Sequence, residues 1–378
     1  MANSFGKNLR VQIFGESHGT AIGCTIDGLP PGFRVDHEAL QRFLDRRAPG
    51  NSSLATARKE TDTPEFLAGI REDGTLTGAT LCAIIRNADH HSADYSKLHD
   101  CPRPGHADYT AALRFRGYND VRGGGIFSGR LTAPLCIAGG ISLQILENQG
   151  VMISSRIAEL AGVPDQPRDP ENLTGEVFRQ LDGMELPTLG ANSAQIFAQL
   201  IRQAREQQDS VGGVVECFAL GFPAGLGNPR FDGLKNRLAQ VLFGIPATVG
   251  VEFGDGFTAA RRNGSQNNDP YEIAQDGTVR TTTNHCGGIL GGISTGMPIR
   301  LRVAFKPTPS IAREQDSISL SRKEGVKLAV TGRHDPCVVP RAVPVVTAAV
   351  ALVLLDFLME KTDFHGFNCK PINTPTTK

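Results

Sequence analysis

The segment from residue 103 to residue 133 concentrates residue types that could bind and transform a phosphorylated ligand. It holds one histidine, His106, three consecutive glycines at 123–125, one serine and several arginines. Pro104-Gly105 predicts a turn just before His106, which places the imidazole at a loop-to-helix junction. A glycine turn that leads into a helix N-terminus offers free N–H groups and a positive dipole end, which suits phosphate. We therefore expect an anion site here; the alternative is a plain glycine turn between two core helices.

Further polar turns could complete such a site. The turn G-E-S-H-G at 15–19 joins two short predicted strands, so a hairpin would present its glutamate, serine and histidine together. The turn K-P-T-P-S at 306–310 follows a predicted strand and supplies one cation and two hydroxyls. The segment G-R-H-D-P-C at 332–337 precedes an apolar helix, where carboxylate and imidazole would be partly buried and coupled. The G-E-S-H-G turn alone is also compatible with an ordinary polar surface turn.

The elements that must position these groups have recognisable start signals. Asp36 is expected to cap a helix from His37 to about Arg47, because it precedes a run with helical apolar spacing. Asp108 and Thr110 are N-cap residue types ahead of a short A-A-L helix. A longer apolar helix is predicted from about residue 131 to residue 147.

The most apolar stretch, residues 338–358, is just long enough to span a bilayer. Pro340, Arg341 and Pro344 interrupt one end, however, and Asp356 lies near the other. The uninterrupted part is therefore short, and a buried core helix is the better interpretation.

Composition bounds the class of protein. The chain has 378 residues, 40% of them hydrophobic, with 39 basic and 39 acidic side chains. This balance gives no reason to expect a nucleic-acid or membrane partner. The eight cysteines form no C-x-x-C pair, which argues against a metal site or a disulfide framework and favours a reducing, cytoplasmic compartment. The N-terminus shows no signal-peptide pattern.

Six motifs in this order closely resemble the chorismate synthase family, and the resemblance extends from about residue 8 to residue 358. They are G-E-S-H-G (15–19), R-P-G-H-A-D-Y-T (103–110), R-G-G-G (122–125), H-C-G-G-I-L-G-G-I-S-T-G (285–296), K-P-T-P-S (306–310) and G-R-H-D-P-C (332–337). The resemblance implies an α+β fold, a β-α-β sandwich with a helical core between outer antiparallel sheets. It also implies a single domain over residues 1–378 that assembles as a homotetramer, and we predict a poorly ordered tail from about residue 362.

The same resemblance implies a carbon–oxygen lyase of the shikimate pathway. The reaction would be the 1,4-anti elimination of phosphate from 5-enolpyruvylshikimate 3-phosphate, a small-molecule substrate, to give chorismate for aromatic amino acid biosynthesis. Reduced FMN would be required without net redox change, and NADPH is a candidate reductant. Two alternatives stay open: a catalytically silent relative that binds flavin or an anion, and a flavin oxidoreductase. The presence of the family's two histidines and its aspartate argues against the silent relative.

The implied roles map onto individual positions of this chain. His106 and His18 would act as acids toward the flavin and the leaving phosphate, and Asp335 would assist proton removal. Ser17 and Ser128 would orient phosphate or flavin. The implied FMN contacts are Phe127, Ser128, Ala247, Gly291, Lys306, Pro307, Thr308, Pro309, Ser310 and Arg333. The substrate contacts are Arg47, Arg130 and Arg341, and Arg47 also matches a position assigned to NADPH; no metal ligand is implied.

The chain departs from the commonest family pattern at three positions. Ile126 stands where many members have arginine, Ser53 where a second basic residue is usual, and Pro246 where asparagine is usual. An aliphatic side chain at position 126 removes a charged hydrogen bond worth about 1.5–3 kcal/mol. We expect this to weaken flavin or substrate binding without abolishing it.

Overall fold

The structure is a computed structural model that describes residues 3–50, 54, 61–87, 98–165, 173–330 and 334–361. The predicted tail from about residue 362, the departure at Ser53 and the predicted contact Arg333 lie outside the described residues. The strands are β1 Ser4–Phe5, β2 Arg10–Gly15, β3 Ala21–Asp27, β4 Glu65–Ala68, β5 Leu81–Arg86, β6 Met152–Leu160, β7 Val163–Pro164, β8 Gly213–Leu220, β9 Thr248–Phe253, β10 Tyr271–Ile273, β11 Val279–Thr281, β12 Ile289–Leu290, β13 Ile293–Ser294, β14 Ile299–Phe305, β15 Gln315–Ser319 and β16 Glu324–Leu328. The helices are α1 His37–Arg47, α2 Asp108–Arg114, α3 Thr132–Asn148, α4 Gly175–Asp182, α5 Ser193–Glu206, α6 Leu234–Phe243, α7 Gly264–Asn267 and α8 Val339–Lys361.

Two antiparallel sheets of five strands enclose a layer of helices. The first sheet has the order β1-β2-β3-β5-β4 and the second has the order β7-β6-β8-β14-β9. Helix α3 packs on β3 and β5 of the first sheet, whereas α8 packs on β6 and β8 of the second. Helices α3 and α8 pack against each other, and α1 contacts both. The predicted α+β sandwich with a central helical layer is confirmed.

Burial on every side explains why α3 and α8 are apolar around their whole circumference. The segments Gly129–Asn148 and Val339–Glu360 are long and apolar enough to cross a membrane, but 78% and 94% of their most apolar windows lie inside the protein. The prediction of a buried core helix near the C-terminus is therefore confirmed. Pro344 sits within the first turns of α8, where a missing backbone N–H disturbs few helical hydrogen bonds.

The start of α1 is as predicted, but the start of α2 is not. The side chain of Asp36 accepts a hydrogen bond from the Ala39 N–H at 2.9 Å, which caps α1. In α2 the capping position is Ala107, which makes no side-chain cap, and Asp108 is already the first helical residue. The predicted cap is wrong because the Asp108 carboxylate is bound by other side chains near the cavity described below.

A buried carboxylate in the last helix fastens the first strand region of the chain. Asp356 accepts hydrogen bonds from the backbone N–H groups of residues 7, 8 and 9, the nearest at 2.7 Å. Arg237 forms an ion pair with the same carboxylate, and its guanidinium carbon lies 4.7 Å from the centroid of the Phe357 ring. The two ends of the described chain are thereby held at one point on α8.

Adjacent glycines in α3 allow a test of the close contact between α3 and α8. A Cβ atom on Gly139 would lie 2.4 Å from the Cα of Ala348, whereas a Cβ on Gly140 would meet the flexible end of Leu40. We expect Gly139→Ala to lower the free energy of unfolding by about 1–3 kcal/mol, because two helix backbones must separate.

Gly140→Ala is the matched control, since it gains the same helix propensity of about 1 kcal/mol and displaces only a side-chain end. Urea unfolding of both variants measures the difference. Equal stabilities would show that the two helices are not packed this closely.

Candidate active site

A cleft of 590 Å³ collects side chains from segments that are distant in sequence. Its walls come from the turn after β2, the end of α1, the 103–107 turn, the glycine loop, residues 243–249, residues 305–310 and the start of α8. This volume lies within the range of about 300–1,000 Å³ that is typical of small-molecule sites. The cleft is larger than two further cavities of 440 Å³ and 250 Å³ among the described residues.

The triple glycine runs between the two predicted catalytic histidines. All three glycines have positive φ angles, at 58°, 88° and 53°. A Cβ on Gly123 would lie 2.2 Å from His18 Cε1 and 2.7 Å from Ser17 Oγ, and a Cβ on Gly124 would lie 3.1 Å from His106 Nε2. The close approach that glycine permits here is thus to the protein's own imidazoles; the expected approach to a ligand stays a prediction.

The G-E-S-H-G turn connects β2 to β3 as predicted and is held against the glycine loop. The backbone N–H of Ser17 donates to the Gly125 carbonyl at 3.2 Å, and Ser17 Oγ lies 3.2 Å from His18 Nδ1. The side chain of Asn87 donates to the Gly19 carbonyl at 2.8 Å, which fixes the far end of the turn. Ser17 lines the cleft, whereas His18 is buried directly behind Gly123.

His106 follows the expected Pro-Gly turn, which the His106 N–H closes by donating to the Arg103 carbonyl at 3.2 Å. Gly105 has a φ of 71°, as a type II turn requires at this position. The Nδ1 atom of His106 lies 2.6 Å from Asp108 Oδ1, and Arg103 binds both oxygens of that carboxylate at 2.7 Å. Burial raises the pKa of Asp108, but the hydrogen bonds and charges of Arg103 and His106 outweigh it and hold the pKa well below its ordinary value.

A second buried carboxylate organises the opposite wall. Asp62 is fully buried and forms ion pairs with both Arg47 and Arg130. Arg47 also donates to Thr132 Oγ1 at 3.1 Å. Burial raises the pKa of Asp62, but the charges and hydrogen bonds of the two arginines outweigh it and lower the pKa below its ordinary value. The two arginines can lie side by side because the carboxylate neutralises part of their repulsion.

Asp335 and Arg341 stand together where α8 begins. Arg341 Nη1 donates to Asp335 Oδ2 at 2.5 Å, and its Nε donates to the Arg47 carbonyl at 2.9 Å. Arg341 therefore joins the predicted proton-removing carboxylate to the arginine pair around Asp62.

The 306–310 turn forms the wall beside His106. Lys306 donates through Nζ to the Gly105 carbonyl, and Ser310 Oγ accepts from Arg103 at 3.0 Å. Ala247 lies next to this turn with a φ of 70°, an uncommon conformation for a residue other than glycine. Such a backbone outlier beside a cleft is typical of a functional site.

Most of the predicted site residues lie on the cleft wall. These are Ser17, Arg47, His106, Phe127, Ser128, Arg130, Ala247, Lys306, Thr308, Pro309, Ser310, Asp335 and Arg341. Pro307 belongs to the same turn but does not line the cleft, and Gly291 is exposed in the turn between β12 and β13. The roles of all these residues stay predictions.

Sequence reasoning missed the charged partners Asp62, Arg103 and Asp108. The spacing R-x-x-H-x-D at 103–108 is a local signal for the last two, because a turn between arginine and histidine can bring all three together. Nothing local pairs Asp62 with Arg130, since 68 residues separate them.

Two of the departures from the family pattern share one wall. Ile126 and Pro246 both line the cleft, and both also line a neighbouring cavity of 250 Å³. Ile126 thus lies at the cleft, and that this position faces a ligand stays a prediction.

Two polar atoms on the wall indicate that the cleft is built for a hydrogen-bonding ligand. The hydroxyl oxygens of Thr248 and Thr308 are buried and have no hydrogen-bond partner among the described residues. A buried hydroxyl without a partner is costly, so such groups usually serve a bound molecule. The apolar walls from Ile245, Phe305 and Pro309 suit a planar ring system.

Together the sandwich fold and a cleft lined by arginines and His106 are typical of an enzyme that acts on a small molecule. Residues 9–359 match the family model described as chorismate synthase. A chorismate synthase of Lancefieldella parvula is 46% identical over 97% of this chain and all of its own length. One of Korarchaeum cryptofilum is 45% identical over 94% of this chain and 97% of its own. A crystal structure of chorismate synthase superposes with a TM-score of 0.74 at 29% identity, covering 94% of this chain and 93% of that one. The chain belongs to the chorismate synthase family.

The contact between the glycine loop and His18 predicts a specific sensitivity at position 123. We expect Gly123→Ala to displace Ser17 and His18 and to lower kcat, in addition to the strain of about 1–2 kcal/mol that an L-residue meets at positive φ. Gly117→Ala is the control, because Gly117 has a φ of 78° but nothing within 4 Å of its missing Cβ. Turnover assays and thermal melts of both variants test this. If both variants lose only stability and to the same extent, the loop does not seat the imidazole.

The buried carboxylate predicts a strong effect at position 62. Asp62→Asn leaves Arg47 and Arg130 without their shared counter-charge, so the free energy of unfolding should fall by about 3–5 kcal/mol. Because the pKa of Asp62 is lowered in the folded chain, its contribution is complete above the unfolded value of about 3.9 and is lost as pH falls through the lower folded value. As pH falls below 5, the free energy of unfolding should therefore decrease less in the variant than in the parent. The difference corresponds to roughly one proton, the one that Asp62 takes up on unfolding in acid.

Glu65→Gln serves as the control, since Glu65 pairs with Arg86 at the exposed surface. Surface pairs contribute about 0–1 kcal/mol. Denaturant unfolding across the acid range separates the two, and a loss at Asp62 no larger than that at Glu65 would contradict the buried pairing.

Proposed function

We propose that this chain catalyses the 1,4-anti elimination of phosphate from 5-enolpyruvylshikimate 3-phosphate to give chorismate. The observation that carries the proposal is the placement of His18 and His106 on either side of one glycine loop at a cationic cleft. Family membership over nearly the whole chain supports the same conclusion.

The charges of the cleft suit a polyanionic substrate. Among the described residues, the cleft has five cationic side chains at its wall and three carboxylates beside them, so two positive charges are in excess. The cations are Arg47, Arg103, Arg130, Lys306 and Arg341, and the carboxylates are Asp62, Asp108 and Asp335. Cations fixed by buried partners need not reorganise as charge develops on a departing phosphate, and this preorganisation stabilises the transition state. We assign the substrate phosphate and carboxylates to Arg47, Arg130 and Arg341.

Proton transfer falls to the imidazoles and to the carboxylate near α8. His18, hydrogen-bonded to Ser17, would donate toward the leaving phosphate, and His106 would hold or donate a proton through the Nε2 atom beside Gly124. Asp335, held by Arg341, would assist removal of the substrate proton. His106 and Asp335 line the cleft, whereas His18 lies behind Gly123; the three roles are proposals.

The residues at the cleft also fit reduced FMN as a cofactor. The hydroxyl of Thr308, the apolar side chain of Pro309 and the cation of Lys306 would hold its polar and apolar parts, with Ser128, Ala247 and Ser310 nearby. When bound, reduced FMN would supply transient electron donation that aids loss of phosphate without net redox change. NADPH as its reductant is a further proposal; Arg47 lines the cleft but is 2% exposed, so a nucleotide would reach it only from within the cleft.

The quaternary structure and location are further parts of the proposal. We propose one domain, a homotetramer in the cytoplasm. Several large apolar side chains on the described surface support an association between subunits: Phe257, Tyr271, Ile273 and Val279. Sedimentation of the purified chain would give the mass of the assembly.

Anaerobic incubation with reduced FMN and 5-enolpyruvylshikimate 3-phosphate tests the activity through release of phosphate and chorismate. We expect turnover that needs the reduced flavin, and a fall of about 10²–10⁴-fold in His106→Ala, the usual range for a lost general acid or base. His37→Ala is the control, because His37 is exposed at the start of α1. Flavin binding without phosphate release would favour the silent relative, and consumption of NADPH coupled to substrate reduction would favour an oxidoreductase.

A further inference from the structure

The carboxylate of Asp108 has no part in the roles proposed above, yet several donors hold it. It accepts hydrogen bonds from the backbone N–H of Arg103 at 3.0 Å and from that side chain's Nε and Nη2 at 2.7 Å. Its Oδ1 atom also lies 2.6 Å from His106 Nδ1, and the residue is almost entirely buried. A buried carboxylate with this many donors is fixed in place.

The contacts of His106 constrain its tautomer. Two groups compete for His106 Nδ1: Arg103 Nη2, which has a second hydrogen besides the one it donates to Asp108, lies 3.1 Å away, and an Asp108 oxygen lies closer. The shorter contact from Nδ1 is to a carboxylate oxygen, which can only accept while ionised. Nδ1 therefore carries the hydrogen in the neutral imidazole, and the lone pair lies on Nε2.

The glycine loop completes the arrangement on the other side of the ring. Gly124 leaves room beside Nε2, since a Cβ there would come within 3.1 Å of that atom. The ring is thus held at Nδ1, no side chain of residue 124 fills the space beside Nε2, and His106 lies on the cleft wall. Arg103 holds the same carboxylate and also donates to Ser310 Oγ at 3.0 Å, which ties the unit to the 306–310 turn.

We propose that Asp108, fixed by Arg103, is a positioning residue that sets the tautomer and orientation of His106 so that Nε2 exchanges the proton in the reaction. The inference rests on the proposed function, because it assigns the proton transfer to one atom of a residue already placed in that reaction. It predicts that loss of the carboxylate impairs turnover more than substrate binding.

Kinetics of Asp108→Asn and Asp108→Glu test this. We expect Asp108→Asn to lower kcat by about 10- to 100-fold, the scale for loss of a partner that orients a functional histidine, with KM within about threefold. The alkaline-side apparent pKa of its kcat profile should fall, because the proton donor loses its carboxylate partner. Asp108→Glu should restore part of kcat.

Asp165→Asn is the matched control, because Asp165 pairs with the buried Arg156 away from the cleft. This variant should lose stability but keep kcat and its pH profile.

Nitrogen-15 NMR of histidine-labelled protein gives a readout that does not depend on turnover. The His106 resonances, identified by their disappearance in His106→Gln, should show a protonated Nδ1 and an unprotonated Nε2 in the neutral ring of the parent chain. Asp108→Asn should mix the two tautomers. An unprotonated Nδ1 in the parent chain would overturn the proposal even if Asp108→Asn does not fold.

These experiments distinguish a failure of the positioning role of Asp108 from a failure of the proposed function. Unchanged kcat in Asp108→Asn, in a preparation where His106→Ala is impaired, would reject the positioning role and leave the proposed function intact. A parent chain that releases no phosphate, but has the expected Nδ1 tautomer, would reject the proposed function and retain the structural role of Asp108.

Discussion

The cleft depends on the buried ion pairs that Asp62 makes with Arg47 and Arg130. Removing two guanidinium groups and a carboxylate from water is costly, and only close pairing with further hydrogen bonds offsets it. Here Arg47 donates such a bond to Thr132 Oγ1 and Arg130 donates one to Asn87 Oδ1, each at 3.1 Å. Since α1 ends at Arg47 and α3 begins just after Arg130, the same charges fix how these two helices meet.

From this pair the polar contacts continue to both sides of the sandwich. Asn87 bonds the G-E-S-H-G turn of the first sheet, and Arg341 connects the Arg47 carbonyl to Asp335 at the start of α8. The three arginines proposed to hold the substrate and the carboxylate of Asp335 are therefore parts of one hydrogen-bonded network. Such networks hold their members rigidly when every group is satisfied, which is what preorganised electrostatic catalysis requires.

Local sequence signals predicted the elements but not the pairings. The β2–β3 hairpin, the Asp36 cap, the Pro-Gly turn and the buried C-terminal helix follow from patterns within a few residues of each other, and all are present. The partners of Asp62 lie 15 and 68 residues away, so only the tertiary fold reveals them. The expected cap at Asp108 failed for a related reason: its carboxylate has stronger partners in a guanidinium and an imidazole than in the α2 N–H groups. The order of the motifs identified the family and predicted most of the residues that line the cleft. It did not predict the buried carboxylates of Asp62 and Asp108, which hold those residues in place.

The hydrogen bonds that Asp356 accepts near the N-terminus have a consequence for folding during synthesis. The first of these donors, the backbone N–H of Lys7, lies 349 residues before Asp356 in the sequence. A nascent chain emerges from the ribosome N-terminus first, at about 5–20 residues per second. The segment at residues 7–9 must then wait for tens of seconds before its anchor exists, and during that interval it is vulnerable because its N–H groups lack their buried acceptor. Truncated translation products that end before α8 would consequently retain this vulnerability for good, and would be natural clients of chaperones and proteases.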